Sequence, residues 1–95
     1  MNSSLDINAA KEIALAHVRQ LALSAGDEFD ILPESTVEDT KGWVFFYNSA
    51  DFVRTRSPMD SLAGNGPILV LRDGSVVDLP SAVPWKDALK DLRRG

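Results

Sequence analysis

Two short stretches of this 95-residue chain are apolar at every position, and both predict strands in the middle of a sheet. They are residues 43–47 and residues 67–71. Side chains alternate between the two faces of a strand, so Trp43, Phe45 and Tyr47 share one face while Val44 and Phe46 share the other. A strand that is apolar on both faces is typical of a position between two covering layers.

Turn residues surround the second of these strands. Gly64, Asn65 and Gly66 tolerate positive φ, and Pro67 then favours extended backbone. We interpret Asn65 first as a turn residue whose side chain bonds nearby backbone. After the strand, residues 73–74 (Asp-Gly) predict a tight turn into a hairpin partner at residues 76–79.

Three- and four-residue spacing of apolar positions predicts a helix at each end of the chain. The first covers residues 9–24, with Asp6 or Asn8 as its cap and Gly26 as a left-handed end. Its buried stripe is expected to be Ala10, Ile13, Ala14, Val18, Leu21 and Ala22. The second covers Trp85 to Arg93, and its apolar face is Trp85, Ala88, Leu89 and Leu92.

Between the first helix and the aromatic strand, residues 29–37 predict an imperfect strand. Pro33 cannot donate a ladder hydrogen bond, so this strand is expected at an edge or with a bulge. Residues 48–64 form a long connection, with a helical turn expected from Ala50 to Arg54. Long loops in small domains tend to bind partners, so Arg54 and Arg56 are candidate contacts, although they could equally only solvate the loop.

These elements predict a single α+β domain over residues 1–95. We expect a four-stranded antiparallel sheet in chain order, with the N-terminal helix packed on one face and a short C-terminal helix. The second face is open to two readings. If the short helix and the long loop cover it, Trp43, Phe45 and Tyr47 are core; if coverage is partial, the remainder is an apolar patch for a partner or a homodimer.

Charge is distributed unevenly along the chain. Residues 1–40 carry eight acids against two bases, a net of −6, and residues 41–95 carry six acids against eight bases, a net of +2. The acidic segment around Asp27, Glu28 and Asp30 is a candidate surface for a basic partner, and its alternative role is solubility. A chain without a basic stripe is a poor candidate for nucleic acid or for an anionic membrane.

The sequence offers little chemistry. It has no cysteine and a single histidine, His17, at the margin of the helical stripe, so a metal site or a nucleophile–base pair is not expected. Residues 64–66 are not a dinucleotide fingerprint, because Leu69 stands at the third glycine position and no helix follows. We therefore expect a non-enzyme without cofactors. No apolar run is long enough for a membrane span, and without a secretory signal the cytoplasm is the expected compartment.

Several short motifs, taken together in their order along the chain, are more specific for a family than any one of them alone. Gly42-Trp43 is followed by Phe45 and Tyr47, then by the turn at Asn65 and Pro67, an apolar strand, Asp73-Gly74 and a proline-flanked last helix. In this order the chain resembles the immunity protein 35 family, also called YrhB-like, over almost its whole length. The resemblance implies a small α+β protein that is encoded beside a bacterial polymorphic toxin and neutralises it by binding.

Two functions from different classes follow. The first is a cytoplasmic protein that binds and blocks a cognate protein toxin; the alternative is a chaperone or stability factor for a cytoplasmic enzyme. A small hydrolase is disfavoured because a nucleophile–base pair is missing. The candidate partner-binding residues are Asp27, Glu28, Asp30, Trp43, Phe45, Tyr47, Arg54, Arg56 and Asn65.

Overall fold

The computed structural model describes residues 5–62, 65–81 and 83–94, with side chains of the last helix described as far as Lys90. Its helices are α1 (Ile7–Ala25), α2 (Ala50–Thr55) and α3 (Trp85–Arg94). Its strands are β1 (Phe29–Ile31), β2 (Val37–Asp39), β3 (Gly42–Phe45), β4 (Tyr47–Ser49), β5 (Ile68–Leu71) and β6 (Val76–Asp78). Single 3₁₀ turns lie at Pro33–Ser35 and Pro58–Asp60.

Helix α1 begins and ends where its capping residues predict. The Asp6 carboxylate accepts a hydrogen bond from the Ala9 amide at 2.8 Å, which satisfies one of the free amides of the first turn. Gly26 ends the helix at φ 68° and ψ 36°, and its amide bonds back to carbonyls of the last turn. Of the predicted stripe, Ala10, Ala14, Val18 and Ala22 are buried. The predicted helix and both of its ends are confirmed.

The strands from β1 to β4 form one antiparallel hairpin that is interrupted in its middle. β2 pairs with β3 next to the turn, with Val37 opposite Val44, and β1 pairs with β4 farther out, with Ile31 opposite Tyr47. The first arm contains three more residues between these pairs than the second, and the 3₁₀ turn that begins at Pro33 accommodates them. Each arm is therefore two short strands.

The larger sheet is antiparallel with strand order β2-β3-β5-β6, and the smaller one is the pair β1-β4. The expected four strands in chain order are thus present, but their membership differs from the prediction. The chain leaves the sheet at Phe46, so the expected continuous strand at residues 43–47 was wrong, and Pro33 likewise divides the expected strand at residues 29–37.

Two apolar clusters lie on opposite faces of the larger sheet. The first joins the buried stripe of α1 to Ile31, Trp43, Phe45, Ile68 and Val70. The second joins α3 to the other face and comprises Val44, Leu69, Leu79, Ala88 and Leu89. Because successive residues of β3 and β5 alternate between these clusters, their two-sided apolar pattern is explained by a helix on each face.

The predicted α+β architecture is confirmed: an N-terminal helix, antiparallel strands and a short C-terminal helix. Partial coverage of the second face is not observed at its centre, where α3 buries Val44 and Leu69 completely. The predictions for Gly64 and for the side chains of Leu92 and Arg93 fall outside the described residues. None of the helices in the described part of the chain has the length and apolar character needed to cross a lipid bilayer.

Candidate functional site

The acidic residues Asp27, Glu28 and Asp30 lie together at the exit of α1 and are all exposed. The left-handed turn at Gly26 reverses the chain, so these residues run back past the last turn of the helix. The Asp27 carboxylate accepts a hydrogen bond from the Glu28 amide and the Asp30 carboxylate accepts one from the Ile31 amide, each at 2.8 Å. Their backbone is therefore well defined at the point where the charges project into solvent.

A surface groove runs between the C-terminal half of α1 and this acidic segment, and we call it the α1–β1 groove. Its volume is about 480 Å³. The groove is lined by Leu15, Arg19, Ala22, Leu23, Asp27, Glu28, Phe29, Asp30 and Ala50. The side chain of Leu23 is 74% exposed. The structure thus brings the three candidate acids together around an apolar base.

Two other acids of the same half of the chain carry ion pairs. Glu34 accepts a hydrogen bond from Arg56 at 2.6 Å, and this bond lowers the pKa of the Glu34 carboxyl below its ordinary value. Glu38 accepts one from Arg72 at 3.1 Å. The acidic run from residue 27 to residue 39 is therefore not uniform, because its free charge is concentrated at the groove.

Arg54 and Arg56 are exposed, as the sequence predicts, but both also have partners within the chain. Arg54 bonds Asp51 one turn earlier at 2.8 Å, and Arg56 ends α2 in the left-handed conformation at φ 60°. Exposed ion pairs of this kind contribute about 0–1 kcal/mol, so a partner could exchange with them at small cost. Their contact with a partner stays a prediction.

The aromatic strand residues lie inside the molecule. Trp43 is 2% and Phe45 is 1% exposed, and both pack beneath α1. Tyr47 is half-buried against the same cluster, with its ring centroid 5.7 Å from that of Phe29. The Arg72 guanidinium lies 4.4 Å from the centre of a Trp43 ring and covers it. Of the three aromatic candidates, only Tyr47 retains access to a partner in this structure.

Asn65 has the structural role that its turn position suggests. Its side-chain amide donates a hydrogen bond to the Tyr47 carbonyl oxygen at 2.8 Å and so joins β4 to the entry of β5. Next to it, a Cβ on Gly66 would lie 2.1 Å from the Leu79 carbonyl oxygen, so only glycine fits there. Burial raises the pKa of the Tyr47 phenol, and the Asp78 carboxylate acts in the same direction.

A second groove of about 350 Å³ lies around this junction. Its lining includes Phe46, Tyr47, Asn65 and Trp85, and the rings of Phe46 and Trp85 meet edge to face with centroids 6.3 Å apart. The motif residues that are distant in the sequence therefore converge on one structural junction. The spacing of these motif residues along the sequence places them where the two sheets and α3 pack against each other.

The single histidine of the chain lies near the surface, beside one carboxylate. His17 contacts Asp78 at 2.8 Å, an ion pair or hydrogen bond that joins α1 to β6 at the surface. Within the described ranges, no three His, Asp or Glu side chains form a group that could hold a metal ion. What the arrangement offers instead is a groove with complementary apolar and charged parts.

Sequence reasoning missed three residues of these surfaces. Leu23 and Phe29 line the α1–β1 groove, and Arg72 covers Trp43. A signal for Leu23 was present, since it is a large apolar residue outside the helical stripe and close to three acids. No local signal indicates Arg72, because its ring partner is on a different strand.

Similarity to known proteins is found at the level of the family. No curated protein and no solved structure matches this sequence. The family model of immunity protein 35 matches residues 8–92, from the first turn of α1 into α3. Since that match includes all six strands and α2, with most of α1 and α3, the chain belongs to the immunity protein 35 family.

Proposed function

We propose that this protein neutralises a cognate protein toxin by binding it directly in the bacterial cytoplasm. The observation that carries the proposal is the match to the immunity protein 35 family over residues 8–92. Immunity by binding requires a shaped surface and no catalytic group. The structure supports this with an exposed groove whose base is apolar and whose rim is mainly acidic.

The acidic rim suits a basic partner. Opposite charges on two surfaces steer their encounter and raise the association rate more than they raise affinity. For an immunity protein a fast encounter matters, because the toxin must be captured before it acts. We therefore place the toxin contact on the surface that contains Asp27, Glu28 and Asp30.

A growth assay tests the proposed function. The toxin encoded by the neighbouring gene is expressed in a bacterial host with or without this protein, and we expect growth only in its presence. Co-purification of the two chains in a constant ratio should accompany protection. Protection without a complex, or a complex with an unrelated enzyme and no protection, would contradict the proposal, and the second result would favour a chaperone.

A further inference from the structure

The base of the α1–β1 groove is lined by apolar side chains. Leu15, Ala22 and Leu23 form the helix side, and Phe29 with Ala50 forms the opposite side. Its volume of about 480 Å³ is within the range of sites that enclose a small ligand or a few side chains. Most of the Leu23 side chain is in contact with solvent in the isolated chain, because it is 74% exposed.

The charge around the groove decides which occupant fits. Three carboxylates, Asp27, Glu28 and Asp30, surround it together with one guanidinium, Arg19. None of these three carboxylates carries an ion pair within the described residues, whereas Glu34 and Glu38 do. An apolar segment that enters the groove therefore meets a net charge of about −2 at the rim, which favours Lys or Arg beside its apolar side chain.

The last helix of a second copy of this chain fits the groove poorly. That helix, α3, carries the basic residues Lys86 and Lys90. The apolar residues of that helix, Ala88 and Leu89, are already buried against Leu69 and Val44. A second α3 would thus present charge to the groove, while its Ala88 and Leu89 side chains are not free to enter the base.

We propose that the α1–β1 groove holds a segment of the partner protein in which a Leu-like side chain is flanked by Lys or Arg. The inference rests on the proposed function, since the segment belongs to the toxin. The apolar side chain occupies the space between Leu23 and Phe29, and the flanking cations meet Glu28 and its neighbours. The apolar contact supplies most of the affinity and the acidic rim selects the charge of the segment.

Peptides test the groove without the toxin. The probes are an end-blocked Lys-Lys-Leu-Leu-Lys-Lys peptide, its analogue with Glu for Lys and its analogue with Ser for Leu. Titrated into isotope-labelled protein, the first should shift backbone amide signals of residues 19–30 and of Ala50, and the other two should not. Signals that move mainly around Phe46 and Trp85, or no saturable shift, would overturn the inference.

Matched variants separate the two contributions. Leu23→Ser should weaken binding of the first peptide roughly tenfold, and Met59→Ser, at a 94% exposed residue outside the groove, should not change it. Glu28→Lys should weaken it roughly fivefold, and Asp87→Lys, an equal charge change on α3, should have little effect. Equal effects within either pair would contradict the inference. All four positions are exposed, so each variant should retain the native fold.

The toxin then separates this inference from the proposed function. If the toxin is neutralised and the Leu23 and Glu28 variants protect as well as the original chain, the groove assignment is wrong and the function stands. If no neutralisation occurs, the function is wrong, and the peptide titration still decides whether the groove selects basic apolar segments. Sedimentation of the free protein as a dimer that Leu23→Ser abolishes would also overturn the assignment, since the occupant would be a second copy.

Discussion

At the scale of single residues, Asn65 shows how one side chain joins two segments distant in the sequence. Its amide reaches the Tyr47 carbonyl across a separation of eighteen residues, at a partly buried position. If the Asn65 amide is removed, the Tyr47 carbonyl oxygen has few other donors to replace that hydrogen bond. Asn65 is therefore expected to act on stability first, and its contribution to partner binding stays a prediction.

Asn65→Ala should lower the free energy of unfolding by about 1 kcal/mol, the usual value of a partly buried hydrogen bond. Urea denaturation measures the change. Asn8→Ala is the control, since Asn8 is exposed in the first turn of α1 and alanine is the better helix former. A loss for Asn8→Ala as large as for Asn65→Ala would show that the Tyr47 bond is not the cause.

The raised pKa of the Tyr47 phenol predicts that the protein loses stability at alkaline pH. Burial raises its pKa in the folded state, while the unfolded chain has the ordinary value of about 10. As the pH rises through that value the unfolded state releases the proton that the folded state still holds, so the free energy of unfolding falls. The stability that depends on the neutral phenol is fully present below about pH 10. It is lost as the pH rises towards the pKa of Tyr47 in the folded state.

Tyr47→Phe should remove that part of the alkaline loss. Because Tyr47 is the only tyrosine, ultraviolet titration of the phenolate reports its pKa directly. The two proteins differ only at residue 47, so the difference between their two stability curves isolates the phenol. Parallel curves for the original chain and the variant would contradict the prediction.

At the scale of elements, α3 determines whether the sheet has a free face. The helix places Ala88 and Leu89 over Val44 and Leu69, and Phe46 meets Trp85 at its beginning. Without α3 the side chains on that face of β3 and β5 would form an exposed apolar patch. The last helix therefore completes the fold even though it is short.

Leu89→Ala should lower the free energy of unfolding by about 2–5 kcal/mol, because Leu89 is only 4% exposed and its removal leaves a cavity. Leu23→Ala is the matched control on α1. Since Leu23 is 74% exposed, its loss should change stability by less than about 0.5 kcal/mol. Similar losses for both variants would mean that α3 does not cover the sheet as described.

At the scale of the whole molecule, the two helices leave the larger sheet no open apolar face at its centre. α1 buries Trp43 and Phe45, and α3 buries Val44 and Leu69. A homodimer could not use the Trp43 and Phe45 side chains directly, because both are buried, and self-association of the chain stays a prediction. What remains for association is the outer surface, which includes the α1–β1 groove.

Sedimentation should show a monomer of 10.4 kDa at all concentrations. A Trp85→Phe variant leaves Trp43 as the single tryptophan, and its fluorescence should resist quenching by acrylamide because the ring is 2% exposed. The original chain is the control, since half-buried Trp85 should be quenched. A concentration-dependent dimer together with accessible Trp43 would show that the first face is open in solution.

Uneven charge should make toxin capture dependent on salt. Asp27→Lys with Glu28→Lys should slow association and flatten its salt dependence, since the local attraction is reversed. Glu12→Lys with Asp87→Lys changes the net charge equally at other exposed positions and is the control. Stopped-flow mixing with the toxin at low and physiological salt measures both. An unchanged association rate for the first pair at low salt would refute this role.

Local pattern alone determined much of this fold. The 3.6-residue stripe, Asp6 and Gly26 specified α1, because caps and helical periodicity depend on neighbours within a few residues. Alternation in β3 and β5 specified two-sided burial, and Asp73-Gly74 specified the hairpin between β5 and β6. Family motifs in the same residues indicated the immunity protein 35 family, which the match over residues 8–92 confirmed.

Only the tertiary structure determined which residues pack against each face of the larger sheet. Whether Trp43 contacts a partner or the core depended on where α1 and α3 pack, and no local pattern specifies that placement. The interruption at Phe46 and the 3₁₀ turn at Pro33 depend on pairing between two arms of unequal length. The α1–β1 groove arises for the same reason, since Leu23 and Phe29 become neighbours only when the turn at Gly26 folds the acidic segment back against the helix.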